Sequence, residues 1–343
     1  MDDNSKILVT GGTGYIGSHT VVELQQAGFD VIVADNLSNS SANVIDLITQ
    51  ITGKKPAFEK IDLCDNLACD YLFHKYNITA VIHFAAFKAV GESVKEPLKY
   101  YKNNLFSLIN LLESMKKNNI SKIIFSSSCT VYGNPDKLPV NETMPVKPAL
   151  SPYGNTKQIA EEILYDEVNT QKKFNVISLR YFNPIGAHHT IIIGEDCKDE
   201  PNNLIPYITQ TAIGKRPFLR VFGNDYDTPD GTPIRDYIHV SDVALAHVSA
   251  LQRLVNNKNE KNFEIFNLGT GKGYSVLQII KTFEKISGIK LPYKIVERRP
   301  GDVPAVWADT SLANKVLGWK ASKDLDEMIT SAWKWELKKA NKL

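Results

Sequence analysis

Short, uniformly apolar runs alternate along the first half of the chain with longer stretches whose apolar residues recur every three to four positions. Lys6-Ile-Leu-Val-Thr10, Asp30-Val-Ile-Val-Ala-Asp35, Ala57 to Ile61, Ala80-Val-Ile-His-Phe84, Lys122-Ile-Ile-Phe-Ser126 and Phe174 to Leu179 read as strands. Runs with so little alternation fit a parallel sheet covered on both faces. Between them, Ser18 to Ala27 (closed by Gly28), Pro97 to Asn118 and Ser151 to about Val168 read as helices. Strand and helix in turn predict an α/β fold with a doubly wound parallel sheet. From residue 184 the elements shorten and Pro201, Pro206, Pro217, Pro229 and Pro233 interrupt them. Helical patterns return at Leu204–Gly214, Val240–Leu254, Ser275–Ser287 and Leu325–Lys339.

The first strand runs into Gly11-Gly12-Thr13-Gly14-Tyr15-Ile16-Gly17 and then a helix. A strand, a glycine turn and a helix N-terminus in that order suit a dinucleotide pyrophosphate: glycines allow close backbone approach, and the helix end favours negative charge. Gly11 and Gly14 are expected to serve the turn, and Gly17 the packing of helix on strand. Asp35 ends the second strand about twenty residues on, where a carboxylate accepts hydrogen bonds from ribose hydroxyls. No arginine follows in Asn36-Leu37-Ser38-Asn39-Ser40 to hold a 2′-phosphate. The expected cofactor is NAD, on a Rossmann-type domain over residues 1–183. Asp62-Leu63, closing the third strand, suits the adenine. Residues 184–343 are expected to form mainly a smaller mixed α/β substrate lobe, with about 235–270 returning to the first domain.

Tyr153 and Lys157 lie four apart in Ser151-Pro-Tyr-Gly-Asn-Thr-Lys157, so on a helix they share a face. A phenol loses its proton near pH ~10, and an ammonium one turn away favours the phenolate. Ser151 suits an N-cap and Pro152 a first turn, which puts Tyr153 near the positive end of the helix dipole. The expectation is a tyrosine base with a lowered pKa. The strand ending at Ser126 runs directly into Ser126-Ser127-Ser128, and strand C-termini are where open parallel sheets bind ligands, so Ser128 is expected beside the Tyr153 helix. His83 falls inside a strand and reads as a core histidine. His188 and His189 are adjacent and have no companion ligand set, so a metal is not expected.

Composition narrows the classes. The 343 residues are 43% hydrophobic and 23% charged, with 40 basic against 38 acidic residues and a net charge of +2. That balance provides no global field for nucleic acid or an anionic membrane. Cys64, Cys69, Cys129 and Cys197 form no C-x-x-C pair and read as reduced thiols of a cytoplasmic protein. No leader and no apolar run of the ~18 residues needed to span a bilayer is evident.

With these features in place, the chain resembles the extended short-chain dehydrogenase/reductases, and among them the UDP-glucose 4-epimerase family. The matching blocks are Thr10-Gly-Gly-Thr-Gly-Tyr-Ile-Gly17, Asp35-Asn-Leu37, Ser126-Ser-Ser-Cys-Thr-Val-Tyr-Gly133, Ser151-Pro-Tyr-Gly154, Tyr181-Phe-Asn-Pro-Ile-Gly-Ala-His188, Pro201-Asn-Asn-Leu204, Phe222-Gly-Asn-Asp-Tyr226, Arg235-Asp-Tyr-Ile-His-Val240 and Arg299-Pro-Gly-Asp302. The resemblance implies C4 epimerisation of a UDP-hexose with retained NAD, Tyr153 as base, Lys157 on the nicotinamide ribose, and Ser128 on the reacting oxygen. It implies NAD contacts from Gly11, Gly14, Tyr15, Ile16, Gly17, Asp35, Asn36, Asn39, Ser40, Asp62, Leu63, Phe84, Ala85, Ala86, Lys88, Asn103, Ser126 and Phe182, beside Tyr153 and Lys157. For the UDP-sugar it implies Lys88, Ser128, Tyr153, Tyr181, Asn183, Asn203, Leu204, Phe222, Arg235, Arg299, Asp302 and Val306. A homodimer is expected through the Pro97–Asn118 and Tyr153–Val168 helices.

Ala86 stands where the family often has glycine, and Cys129 where alanine is common. Val306 borders the sugar pocket, where a bulky tyrosine tends to confine members to plain hexoses. A valine there predicts some activity on UDP-N-acetylglucosamine. Related dehydratases carry an Asp-Glu pair where this chain has Cys129-Thr130, and decarboxylases a glutamate in that region. A non-catalytic NAD-sensing scaffold would have lost Tyr153 or Lys157. The epimerase reading prevails over all three.

Overall fold

The computed structural model describes residues 5–171, 174–196, 200–299 and 301–343; Cys197 and Pro300 lie outside them. Seven parallel strands form the main sheet: β1 (Lys6–Thr10), β2 (Asp30–Asp35), β3 (Ala57–Lys60), β4 (Ile78–His83), β5 (Lys122–Ser128), β6 (Asn175–Tyr181) and, later in the chain, β10 (Phe263–Leu268). Their order is β3-β2-β1-β4-β5-β6-β10. The order reverses between β1 and β4, so a crevice opens at their C-terminal ends. Helices α1 (Tyr15–Gln26), α2 (Asn43–Thr52) and α8 (Val240–Val255) cover one face; α3 (Asn66–Lys75), α5 (Pro97–Lys117) and α6 (Pro152–Gln171) cover the other. The short α4 (Val90–Lys95) packs on α5 and α6. Both faces of the strands are buried: Ile7 and Val9 join one core, Leu8 the other. That is why their sequences show no alternation.

The second lobe is assembled from short pieces. Strands β7 (Asn183–Ile185) and β13 (Ala305–Val306) pair in parallel with β9 (Ile234–His239), and β11 (Gly273–Ser275) pairs antiparallel to it. β8 (Leu219–Phe222) and β12 (Tyr293–Val296) form a separate parallel pair. Helices α7 (Leu204–Ala212), α9 (Val276–Ser287) and α11 (Leu325–Lys339) close around a core that includes Ile208, Ile279, Phe283, Ile329 and Trp333. The short α10 (Ser311–Val316) packs against β10. Of the segment expected to return, α8 and β10 join the main sheet's layers, while Ile234–His239 stays in the small sheet.

Several boundaries differ from the sequence reading. α1 begins at Tyr15 rather than Ser18, because the glycine turn leads directly into the helix with Gly14 as its N-cap. β5 runs two residues past Ser126, since Ser127 and Ser128 keep their register opposite Arg180 and Tyr181. The helices α2 and α3 fill stretches the periodic reading leaves unassigned. α3 starts where the Asp65 carboxylate accepts from the amides of Leu67 and Ala68.

Candidate functional site

At the β1–α1 turn the backbone has no room for side chains. Gly11 takes φ +68°, and a Cβ there would lie 2.8 Å from Ala85 N at the end of β4. At Gly17 it would lie 2.3 Å from Gly11 O. The close approach is to the residues that directly follow β1, and α1 packs on that strand. The first turn of α1 has no side-chain cap and no acid, so its amides face the crevice as an anion site. Asp35 stands beside it: Oδ2 accepts from Thr13 N at 3.2 Å, and Oδ1 from Leu37 N at 2.9 Å and Ser40 Oγ at 3.1 Å. Leu37 sits at φ +61°, an unusual conformation for a bulky residue. Asn36 Nδ2 reaches Asp62 Oδ2 at 3.3 Å, and Leu63 is buried. The glycine turn, the uncapped helix end and the Asp35 carboxylate beside it are chemically suited to NAD.

The end of β5, the start of α6 and the end of β6 meet at the same crevice. Ser151 Oγ accepts from Gly154 N at 3.1 Å, which is the expected N-cap, and Tyr153 is the second residue of the helix. Lys157 is buried, donates from Nζ to Ser126 O at 2.6 Å and lies 4.8 Å from the Phe125 ring centre. Ser128 caps a short 3-10 turn, Cys129–Tyr132, by accepting from Thr130 N at 3.2 Å. The lowered tyrosine pKa does not appear. Burial pushes the Tyr153 phenol up to about 12, with the Ser128 hydroxyl pulling the other way. Burial also brings Lys157 down to about 8, opposed by Glu161. The lysine's short bond is to a main-chain carbonyl of β5, and desolvation outweighs what its charge does for the phenol.

The remaining expected residues are distributed around this crevice. Tyr181, Phe182 and Ser126 are buried; Tyr181 pairs its hydroxyl with His247 Nε2 at 2.7 Å. Phe84 rests 4.7 Å from the His247 ring, and Ile16 packs on the main core. Tyr15 donates from its hydroxyl to Gly186 O at 2.6 Å, and Lys88 Nζ lies 5.8 Å from the Tyr15 ring centre. Ala85 and Ala86 are half-buried, and Asn39 is exposed. Asn103 Nδ2 donates to Asn104 Oδ1 at 3.0 Å. In the second lobe, Arg235 Nη2 meets Asp302 Oδ1 at 3.3 Å, and Arg299 stacks 4.4 Å from the Phe222 ring centre. The β9–β13 register sets Val306 opposite Arg235. Val306 is buried in a cluster with Phe182 and Val131, against Cys129. Asn183, on β7, and Leu204, opening α7, are half-buried.

Three residues outside the sequence reading organise the crevice. Asn104 Nδ2 donates to Phe87 O and Thr156 Oγ1, and its Oδ1 accepts from Phe87 N, tying α5 to the Lys88 loop and to α6. Glu195 Oε1 accepts from Lys88 Nζ at 3.2 Å and Asn203 Nδ2 at 2.7 Å, bridging the two lobes. Asp236, fully buried, accepts from Thr270 N and Oγ1, Gly271 N and Ala308 N. The one available signal was a polar residue in an apolar helix face or strand, as at Asn104 and Asp236; Glu195 had none. His83 is a core residue, its Nδ1 2.8 Å from Thr10 Oγ1. His188 hydrogen-bonds Thr190 Oγ1 at 2.8 Å. Among the described residues no three His, Cys, Asp or Glu gather closely enough to hold a metal ion.

Comparison with known proteins agrees with this geometry. A family model described as GDP-mannose 4,6 dehydratase matches residues 8–332. The UDP-glucose 4-epimerase of Dictyostelium discoideum is 52% identical over 336 residues, covering 98% of this chain and 96% of the relative. That of Bacillus subtilis is 51% identical over 335 residues, covering 98% of both. A crystal structure of the Bifidobacterium longum UDP-glucose 4-epimerase in complex with NAD+ and UDP is 47% identical, with a TM-score of 0.94, covering 98% of this chain and 100% of that one. The acid pair of a dehydratase is absent, since its place holds Cys129 and Thr130. The chain belongs to the UDP-glucose 4-epimerase family, NAD-dependent isomerases within the extended short-chain dehydrogenase/reductases.

Proposed function

We propose that Tyr153, Lys157 and Ser128 carry the reversible C4 epimerisation of UDP-glucose and UDP-galactose that this chain catalyses. The observation that supports it most is the extension of β5 to Ser128, which brings that hydroxyl against the Tyr153 phenol. NAD, when bound, supplies the acceptor and donor of the C4 hydride and a positive ring charge. Tyr153 takes the proton of the sugar 4-hydroxyl as the ketone forms and gives it back after the sugar has turned. Ser128 donates a hydrogen bond to the reacting oxygen. With its phenol pushed up to about 12 by burial, Tyr153 needs positive charge to act near neutral pH, and the Lys157 ammonium is the protein's own contribution.

In this reading Asp35 binds the adenosine ribose, with Asn36, Asn39, Ser40, Asp62 and Leu63 at the adenine end. Arg235 and Arg299 take the diphosphate, for which planar, bidentate donors are suited. Asn183, Asn203, Leu204, Phe222 and Asp302 complete the UDP site, and Lys88, Asn103 and Phe182 the reacting end. Residues 1–183 with 240–270 are the cofactor domain, and the rest mainly the substrate lobe. Val306 leaves room for an N-acetyl group. α5 exposes Leu98 at 82% and Phe106 at 52%, and α6 exposes Tyr165 at 54%. A second copy of the chain is the proposed cover for these helices, as the family resemblance implies. Among the described residues no helix is long and apolar enough to cross a membrane, and Cys64, Cys69 and Cys129 are free thiols; the cytoplasm is the proposed location.

The test is to mix purified protein with UDP-galactose, add no NAD, and follow the anomeric protons by NMR. Conversion to UDP-glucose is expected, and Tyr153→Phe should slow it by about 10²–10⁴-fold. A Tyr153→Phe variant as fast as the wild type would overturn the assignment of the base.

A further inference from the structure

Glu161 and Arg180 form an ion pair buried between α6 and β6, with side chains 8% and 3% exposed. Arg180 donates from Nε to Oε1 at 3.0 Å and from Nη2 to Oε2, and Ser178 Oγ donates to Oε1 at 2.7 Å. Glu161 lies one helical turn beyond Lys157, on the same face. Arg180 stacks on its far side, 4.7 Å from the Tyr132 ring centre. Tyr132 belongs to the 3-10 turn capped by Ser128, and its hydroxyl donates to Asn267 Oδ1 at 2.7 Å. Gln158, next to Lys157, fixes the same turn by donating to Val131 O at 2.8 Å.

Two buried charges carry a desolvation cost that an apolar pair of similar volume would not. Joining α6 to β6 did not require them. Resting on the assignment of Lys157 above, we propose that Glu161 and Arg180 are positioning residues for the epimerisation: Glu161 keeps Lys157 charged, and Arg180 holds Glu161 and the Ser128 turn in one register. The groups facing Lys157 are Tyr153 and Glu161 from α6, His83 from β4, and the Ser126 carbonyl and Phe125 ring from β5. Burial depresses the His83 pKa to about 3, so that ring is neutral. Arg180, on β6, is engaged with Glu161. Among the described residues Glu161 is therefore the anion that favours the Lys157 ammonium.

The test is the pH dependence of kcat for UDP-galactose, measured on holoenzyme. If charged Lys157 is required, its deprotonation sets the alkaline limb. Glu161→Gln removes the anion and leaves Arg180 unpaired, and the limb should move down by about one pH unit. Glu161→Asp should return it toward the wild-type position. Because an unpaired buried arginine risks unfolding the chain, Glu161→Gln/Arg180→Met is measured alongside; it should show a smaller shift in the same direction. A folded variant lacking Glu161's charge whose alkaline limb coincides with that of the wild type, however slow it is, overturns the proposal. Loss of fold in both charge-removing variants assigns the pair to stability alone and overturns it equally. Tyr153→Phe separates the two levels: turnover at the wild-type rate there means the site assignment is wrong, not the role of Glu161.

Discussion

Five histidines are held neutral in the folded chain, and their number sets how it responds to acid. Burial depresses the pKa of His19 and His83 to about 3, and of His188, His239 and His247 to about 4. In the unfolded chain each titrates near pH ~6.5. Folded pKa values below unfolded ones mean that the unfolded state binds more protons, so stability falls as pH falls. The contribution is complete above the unfolded value and is lost progressively from pH ~6.5 toward 4 and 3. At pH 5.5 each site costs about 1.4 kcal/mol, or about 7 kcal/mol for five, against a typical total of about 5–15 kcal/mol. Burial raises Glu23, Glu142 and Asp236, which works in the opposite direction and trims the loss.

The assay is urea unfolding at fixed temperature at pH 7.5, 6.5 and 5.5, with the midpoint converted through a common slope. Stability should fall by several kcal/mol between the extremes, with an uptake of about five protons on unfolding at the acid end. His19→Gln should lower that uptake by about one. His19 is a useful position because its Nδ1 lies 2.8 Å from Tyr15 O on the helix that opens the dinucleotide site. A stability that is flat or rising toward pH 5.5 would refute the reasoning.

The remaining expectations concern the site. Gly17→Ala places a carbon 2.3 Å from Gly11 O. It should destabilise by about 1–3 kcal/mol and strip retained cofactor, read as the loss of cofactor absorbance in purified protein; full retention counts against the turn geometry. Arg235→Ala should raise KM for UDP-galactose by about 10–10²-fold, the scale of a charge-assisted hydrogen bond, with kcat little changed; a fall in kcat at constant KM would move Arg235 out of the UDP site. Val306→Tyr should abolish turnover of UDP-N-acetylglucosamine before that of UDP-galactose, and equal loss on both substrates would sink the pocket argument.

Much of the cofactor half was legible because its signals are local. Lys6–Thr10 and Asp30–Asp35 match the observed strands residue for residue, since a buried parallel strand needs only its own apolar residues to be recognised. The cap at Ser151 and the shared face of Tyr153 and Lys157 were local too. What failed was the electrostatics. Spacing places an ammonium near a phenol but says nothing of solvent, and here burial outweighs the attraction. Asn104 and Asp236 showed only as polar residues in apolar surroundings and Glu195 not at all, for a related reason: partners such as Ala308 for Asp236 and Lys88 for Glu195 lie far away in sequence. The boundary at Ser128 was missed because serine is a poor advertisement for a strand, while its actual support is the pairing with Tyr181 across the sheet.

Strand β13 has only two residues, yet it seats Val306 opposite Arg235 and joins chain regions made at very different times. Val140 N donates to Trp307 O at 2.9 Å and Asp309 N to Val140 O at 2.7 Å, so the stretch after Val306 threads back against the middle of the chain. Every strand of the dinucleotide sheet is complete by Leu268, some forty residues earlier in synthesis. On the ribosome all seven strands of the main sheet are therefore made before the stretch that seats Val306, and the joining of that stretch to Val140 is a late, separate event.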